Sequence, residues 1–173
     1  QQVPDDFRFL VKAGQVVTSP VTAGPERAPN PHFFDAGWTS DYIVRPYVEG
    51  LDSKAGVLLL QLPPIPQGTF SSPESFADRL YAYLSKLPKG ARYALELRNA
   101  AFFTQRYAEA LKATGVSHCY NVHPSMPPLA RQVGRIPLDS GPLIIRWMLR
   151  EGMSFEQARE RYAPFDGLID HDQ

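Results

Sequence analysis

Five short apolar segments of this sequence each carry a polar or charged side chain at or near the carboxyl-terminal end. Residues i and i+2 of a strand share a face, so Glu96 and Arg98 are expected to point together, as are Asn121 and His123. Guanidinium groups bind phosphate or carboxylate bidentately, and a carboxylate beside them is suited to general acid–base chemistry. These residue types therefore predict one convergent ligand site.

Fixed positive charge is in excess at this predicted site, because Lys12, Arg98 and Arg146 face the single carboxylate of Glu96. The excess favours a small anionic ligand, such as a sugar phosphate, a nucleotide or another phosphorylated compound. Glu96 is the candidate catalytic residue, acting as general acid or base once its surroundings shift its pKa. The candidate ligand-binding residues are Lys12, Gln61, Arg98, Asn121 and Arg146.

An alternative interpretation of the same side chains is an interior network that serves structure alone. Buried charges need partners, and Glu96 would find one in Arg98 or Arg146 while Gln61 caps backbone groups. His123, next to Pro124, is more typical of a loop or core residue than of a catalytic one. We favour the ligand site, because the carboxyl ends of parallel barrel strands are where such folds bind their ligands.

The elements that must position these residues alternate between short apolar runs and helical patterns, the order typical of a parallel sheet with helical crossovers. Each run is mostly apolar, as strands covered on both faces are. The sequence therefore predicts an α/β protein. The predicted strands span residues 7–12, 56–62, 93–98, 117–122 and 143–147.

Three helices have clear boundary signals. One begins after Ser72 with proline at its first position, the second covers about 104–114 and stops at Gly115, and the third follows a capping box formed by Ser154 and Gln157. Residues 19–37 lack periodicity and contain several prolines and glycines, which predicts a long irregular loop after the first strand. That loop is either functional or a packed surface excursion.

Composition limits the class of protein. The chain has 173 residues, is 43% hydrophobic, and balances 18 basic against 18 acidic side chains, which predicts one soluble domain without a global field for nucleic acid or membranes. A single cysteine, Cys119, excludes an intrachain disulfide and favours a reducing cytoplasm. No apolar run is long enough to span a bilayer, and no export signal opens the chain.

Metal and cofactor chemistry find little support in the sequence. The four histidines, His32, His118, His123 and His171, form no ligand pair with helical i, i+4 spacing, and acidic residues are not clustered. The Asp170–Asp172 segment is typical of a solvated tail. A glycine-rich phosphate loop and a Gly-x-Ser-x-Gly elbow are both missing, so no cofactor is expected.

Four groups of residues follow one another along the chain: Phe7–Phe9 with Lys12 and Thr18, Leu60–Pro64, Leu95–Arg98 with Phe102–Phe103, and Ile144–Trp147. In order and spacing they resemble landmarks of the YecE-like family, a family of unknown function. The resemblance implies a TIM-barrel-like (β/α) barrel at whose carboxyl-terminal rim the polar residues would lie. Family members are usually longer, so we expect residues 1–173 to form a single barrel domain, incomplete and truncated at both ends. The sequence departs from the family at Asn121–His123, where an acidic residue is common.

Two other functions remain open at this level. Analogy with barrels that process DNA indicates a nucleic-acid-binding or repair-like protein, in which aromatic residues would stack on bases. The aromatic residues concerned are Trp38, Tyr42, Tyr47, Phe102, Phe103 and Trp147. A non-catalytic binding domain is the third interpretation. Whether the protein is an enzyme, and its oligomeric state, do not follow from the sequence.

Overall fold

The computed structural model describes residues 3–138, 141–147, 153–167 and 169. Its five strands form one sheet in the order β1-β2-β3-β4-β5, and every neighbouring pair is parallel. All five predicted strands are confirmed, with ends that differ from the prediction by no more than two residues. The strands are β1 (Phe9–Lys12), β2 (Ala55–Gln61), β3 (Tyr93–Glu96), β4 (Ser117–Asn121) and β5 (Ile144–Arg146).

Helices connect the strands, as the alternating pattern predicted. The segment after β1 contains a nearly continuous run of helical turns over residues 36–54, with a π-helical turn at Ser40–Val44 and a 3-10 turn at Asp52–Lys54. A further 3-10 turn lies at Ala100–Phe102. The α-helices are α1 (Gln15–Thr18), α2 (Ala36–Thr39), α3 (Arg45–Leu51), α4 (Pro73–Leu84), α5 (Gln105–Thr114), α6 (Leu129–Arg135) and α7 (Phe155–Tyr162).

Local chemistry explains where these helices begin and end. The Ser72 side chain accepts from the Ser75 backbone N–H ahead of α4, and a capping box of Ser154 and Gln157 opens α7. Gly115 ends α5 with a φ of 70°, a left-handed conformation that glycine adopts without a Cβ clash. The three predicted helix boundaries are therefore confirmed.

Two apolar layers cover the two faces of the sheet. The helix-facing layer is the main core, in which Leu58, Leu60, Leu95 and Leu97 alternate along β2 and β3 with residues of the opposite face. That opposite, inner face carries a smaller buried cluster. Its members are Val57, Leu59, Ala94, Cys119 and Ile144. A curled parallel sheet with helices outside and a small apolar layer inside is half of a (β/α) barrel, so the predicted TIM-barrel-like, incomplete fold is confirmed.

The loop between α1 and α2 is ordered by its own polar and aromatic contacts. Asn30 Nδ2 donates to the carbonyls of Val16 and Ser19, at 2.7 Å each. Phe34 is buried and stacks on Tyr83 of α4 with ring centroids 4.9 Å apart. The loop is thus anchored at both ends, although a cleft of about 540 Å³ lies between it and Pro63–Pro64 at the carboxyl end of the sheet.

Candidate functional site

Each of the five strands ends in one of the predicted polar residues. Gln61 lies opposite Glu96 in the register of β2 and β3, and Asn121 lies opposite Arg146 in that of β4 and β5. Residues paired in a parallel register point to the same side, so these four side chains share the inner face. They stand two residues beyond Leu59, Ala94, Cys119 and Ile144 of the inner apolar cluster. The polar residues therefore form a layer at the carboxyl-terminal rim, directly above the apolar one.

Glu96 is at the centre of this layer and is completely buried. Its Oε1 accepts from Arg98 Nε at 2.8 Å, and its Oε2 accepts from Arg146 Nη1 at 3.0 Å. The same Nη1 donates to Gln61 Oε1 at 2.6 Å. We call these four side chains the rim cluster: Gln61, Glu96, Arg98 and Arg146.

The rim cluster carries more positive than negative charge. Two guanidinium groups share one carboxylate, which leaves a formal charge of about +1, and arginine stays protonated in proteins. The Arg98 side chain is 16% exposed and that of Arg146 35% exposed, so both still reach solvent. Their bonds leave Nη1 and Nη2 of Arg98, and Nε and Nη2 of Arg146, without a hydrogen bond to another described residue.

Asn121 and Lys12 lie outside these contacts. Asn121 is buried, donates Nδ2 to the carbonyl of Leu97 at 2.8 Å, and its Oδ1 has no partner among the described residues. Lys12 ends β1 at the level of Leu59, is exposed, and forms no hydrogen bond or ion pair with a described residue. The structure therefore joins four of the six predicted residues and keeps Asn121 and Lys12 beside them.

His123 and Ser125 extend the rim in a way that the sequence did not assign. The His123 ring is half-buried, and its Nδ1 lies 2.7 Å from Ser125 Oγ, which also donates to the Arg98 carbonyl at 2.6 Å. Burial lowers the pKa of His123 most, Arg98 lowers it further, and Glu96 opposes that change. The sequence contained one signal for His123: it follows Asn121 by two residues, a spacing that places the side chains of Asn121 and His123 on one face.

A second buried polar network supports β4 from the outer side. His118 Nδ1 lies 2.9 Å from Tyr107 Oη, and its Nε2 lies 3.2 Å from Gln132 Oε1. Gln132 also binds both backbone groups of Asn121. Burial lowers the pKa of His118 to about 4, so the imidazole is neutral in the folded protein. This network fixes the end of the strand that carries Asn121 and leads to His123.

Metal and thiolate chemistry gain no support from the geometry. The described residues contain no group of three or more histidine, cysteine or acidic side chains that could hold a metal ion, and Asp170, His171 and Asp172 lie outside them. Cys119 is buried beneath the rim, and burial, reinforced by Glu96, raises the pKa of its thiol to about 12. The thiol is therefore protonated at neutral pH.

The aromatic residues considered for base stacking are divided between core and surface. Tyr47 and Phe103 are buried in the main core, while Trp38 and Phe102 are partly buried against it. Trp147 is 75% exposed and directly follows Arg146. No helix in the described part of the chain is both long and apolar enough to cross a bilayer.

Fold and rim together define an α/β protein of the TIM-barrel-like class, with a charged cluster at the carboxyl ends of its strands. The chain belongs to the family described as "Protein of unknown function DUF72", whose model matches residues 1–169. The predicted YecE-like resemblance is thereby confirmed. No curated protein and no solved structure matches the chain.

Proposed function

We propose that this protein binds a small anionic ligand, such as a phosphorylated metabolite, at the rim cluster. The observation that carries the proposal is the sharing of one buried carboxylate by two guanidinium groups that both reach solvent. One arginine is enough to neutralise the carboxylate in a purely structural ion pair. The second arginine leaves an uncompensated positive charge at the carboxyl-terminal rim of the half-barrel. An anion that enters the rim would balance it.

Glu96 contributes to binding by holding the two arginines in place. Its two oxygens contact Nε of Arg98 and Nη1 of Arg146, so one carboxylate fixes the positions of both guanidinium groups. A fork of donors whose position is already fixed loses little conformational entropy when an oxyanion binds. The exposed Lys12, on the same face, would add a longer-range attraction for the same anion.

An acid–base role for Glu96 remains a prediction. Each of its oxygens accepts one hydrogen bond from an arginine and keeps a second lone pair, but the side chain is completely buried, so a substrate proton could reach the carboxylate only if the rim cluster opened. Anion binding by the arginines therefore does not require proton transfer by Glu96. A non-catalytic binding domain would bind the anion without converting it.

A small ligand fits the rim better than a nucleic acid does. Two of the aromatic side chains that a base-stacking surface would use, Tyr47 and Phe103, are buried in the core. The net charge of the chain is zero, so a polyanion would meet no general attraction.

The test is isothermal titration calorimetry with ribose 5-phosphate, pyrophosphate and a short single-stranded oligonucleotide. Arg98→Lys and Arg146→Lys keep the charge but lose the planar fork, and Arg131→Lys, at an exposed position on α6, is the matched control. We expect a small phosphate to bind the wild type and each rim variant to weaken binding by about tenfold, the effect of one charge-assisted hydrogen bond.

Two outcomes would contradict the proposal. Equal affinities in all three variants would place the anion elsewhere, and failure of both small phosphates to bind would remove the site. Binding of the oligonucleotide alone, with an affinity that falls steeply as salt is added, would favour the nucleic-acid alternative.

A further inference from the structure

The imidazole of His123 lies at the rim in an orientation fixed by the loop after β4. Its Nδ1 accepts from the backbone N–H of Ser125 at 3.2 Å and lies 2.7 Å from the hydroxyl of the same residue. That hydroxyl also contacts the carbonyl of Arg98, at 2.6 Å. One serine therefore ties the histidine ring to the backbone of a rim-cluster arginine.

The backbone contact from Ser125 favours one of the two neutral tautomers of the ring. A backbone N–H is always a donor, so the nitrogen that faces Ser125 must offer a lone pair. A neutral imidazole has one N–H and one lone pair, and the hydrogen therefore lies on Nε2. In that tautomer the nitrogen that does not face Ser125, Nε2, is a hydrogen-bond donor.

The charges that face His123 come from the ends of two strands. Arg98 and Glu96 belong to the end of β3, and Arg146 belongs to β5. Burial and the two arginines lower the pKa of the imidazole, and Glu96 raises it, with burial the largest influence. The ring is therefore neutral near pH 7, yet it lies close enough to the rim cluster to respond to a charge that arrives there.

We propose that His123 is a further ligand-binding residue of this site, and that its Nε2–H donates to an oxygen of the anion held by Arg98 and Arg146. This inference rests on the proposed function. It also narrows the ligand class, because donors from three separate side chains suit a tetrahedral oxyanion, a phosphate or sulfate group, better than a carboxylate with two oxygens.

A pH dependence of the binding follows. A bound dianion favours the protonated imidazole, so ligand binding takes up a proton at His123. Affinity for the anion should therefore rise as pH falls from the pKa of His123 in the complex to its lower pKa in the free protein. Above that range, the neutral Nε2–H still donates, and the affinity should become independent of pH.

The experiment measures the dissociation constant of sulfate for the 173-residue chain by calorimetry between about pH 5.5 and 8.5, with acetate as the carboxylate control. Sulfate does not titrate in this range, so any pH dependence belongs to the protein. Three variants are compared: His123→Ala, His123→Gln, whose amide nitrogen replaces Nε2 without titrating, and the control His32→Gln, which replaces a partly exposed histidine of the loop before α2.

We expect His123→Ala to weaken sulfate binding by about tenfold at high pH, and by more at low pH, where the wild type gains affinity by protonating the imidazole. His123→Gln should keep the affinity of the wild type at high pH but lose its increase toward low pH, and His32→Gln should match the wild type throughout. If both His123 variants bind sulfate as the wild type does while Arg98→Lys does not, the His123 inference fails and the proposed function survives. If no variant and no wild-type sample binds sulfate or phosphate, both fail.

The tautomer is tested separately from any ligand. Nitrogen-15 chemical shifts of the imidazoles distinguish Nε2–H from Nδ1–H, and His123→Ala assigns the signals. A hydrogen on Nε2 at pH 8 is the expected result. A hydrogen on Nδ1 would overturn the inference whatever the binding data show, because the free nitrogen would then repel an anion.

Discussion

Arg146 Nη1 lies 2.6 Å from Gln61 Oε1, although β3 and β4 separate the two strands that carry these residues. Three strand spacings of a flat sheet amount to about 14 Å, and side chains stand roughly perpendicular to a sheet, so such a pair would not meet. The contact therefore requires a sheet that curls toward its inner face. Curvature brings the charged ends of the strands together and closes the rim cluster around Glu96.

Replacing Glu96 by glutamine should be costly, because it leaves two guanidinium groups facing each other without a carboxylate. We expect a loss of about 3–5 kcal/mol in the free energy of unfolding, as for other buried ion pairs that lose one partner. Urea denaturation measures it. The control is Asp78→Asn, which breaks an exposed ion pair with Arg106 and should leave the stability nearly unchanged. If the two variants lost similar amounts of unfolding free energy, the rim cluster would contribute no more to stability than an exposed ion pair.

Acid should destabilise the protein through His118. The folded-state pKa is about 4, below the ordinary 6.5, so only the unfolded chain binds a proton between these values. The stabilisation is complete above pH 6.5 and is lost as pH falls toward 4, and the difference corresponds to about 3 kcal/mol. Stability measured against pH in wild type and His118→Gln tests this prediction. An unchanged slope in the variant would assign the effect to another group.

Gly56 should not tolerate a side chain, because β1 passes too close to it. A Cβ atom there would lie 2.6 Å from the carbonyl oxygen of Phe9, a backbone atom that cannot move without shifting the strand. We expect Gly56→Ala to cost about 1–3 kcal/mol, as overpacking does. Gly50→Ala, in α3, is the control, since nothing lies within 4 Å of its added methyl group. The comparison is made by measuring the thermal unfolding of both variants. Equal stabilities would contradict the close approach of the Phe9 carbonyl to Gly56.

Asn30 should control the order of the loop between α1 and α2. Asn30→Ala removes three side-chain hydrogen bonds: two donated to the carbonyls of Val16 and Ser19, and one accepted from the backbone N–H of His32. Arg27 is the only lysine or arginine between Lys12 and Arg45, so tryptic cleavage after it reports on this loop. We expect cleavage to become at least about tenfold faster, because the hydrogen bonds that order the loop are lost. Thr22→Ala, in the same loop, should leave the rate unchanged; equal acceleration by both would show that Asn30 has no special role.

Much of the scaffold was accessible from the sequence because its signals are local. An apolar run marks a strand wherever it lies in the chain, proline after Ser72 starts a helix, and Gly115 ends one. The spacing of Glu96 from Arg98 likewise placed both on one face without any knowledge of neighbouring strands.

The contacts of the rim depend on residues far apart in the chain, and no local pattern specifies them. In the structural interpretation Gln61 would cap backbone groups, but it accepts from Arg146, 85 residues later, because curvature of the sheet decides which strand ends meet. Asn121 turns to the Leu97 carbonyl, and Lys12 stays outside the cluster, since its strand ends one register level lower, opposite Leu59. The sequence by itself thus determined the parallel α/β framework and which residues stand at its rim, whereas only the tertiary structure decided which of them touch, because those distances are set by the bending and register of the whole sheet.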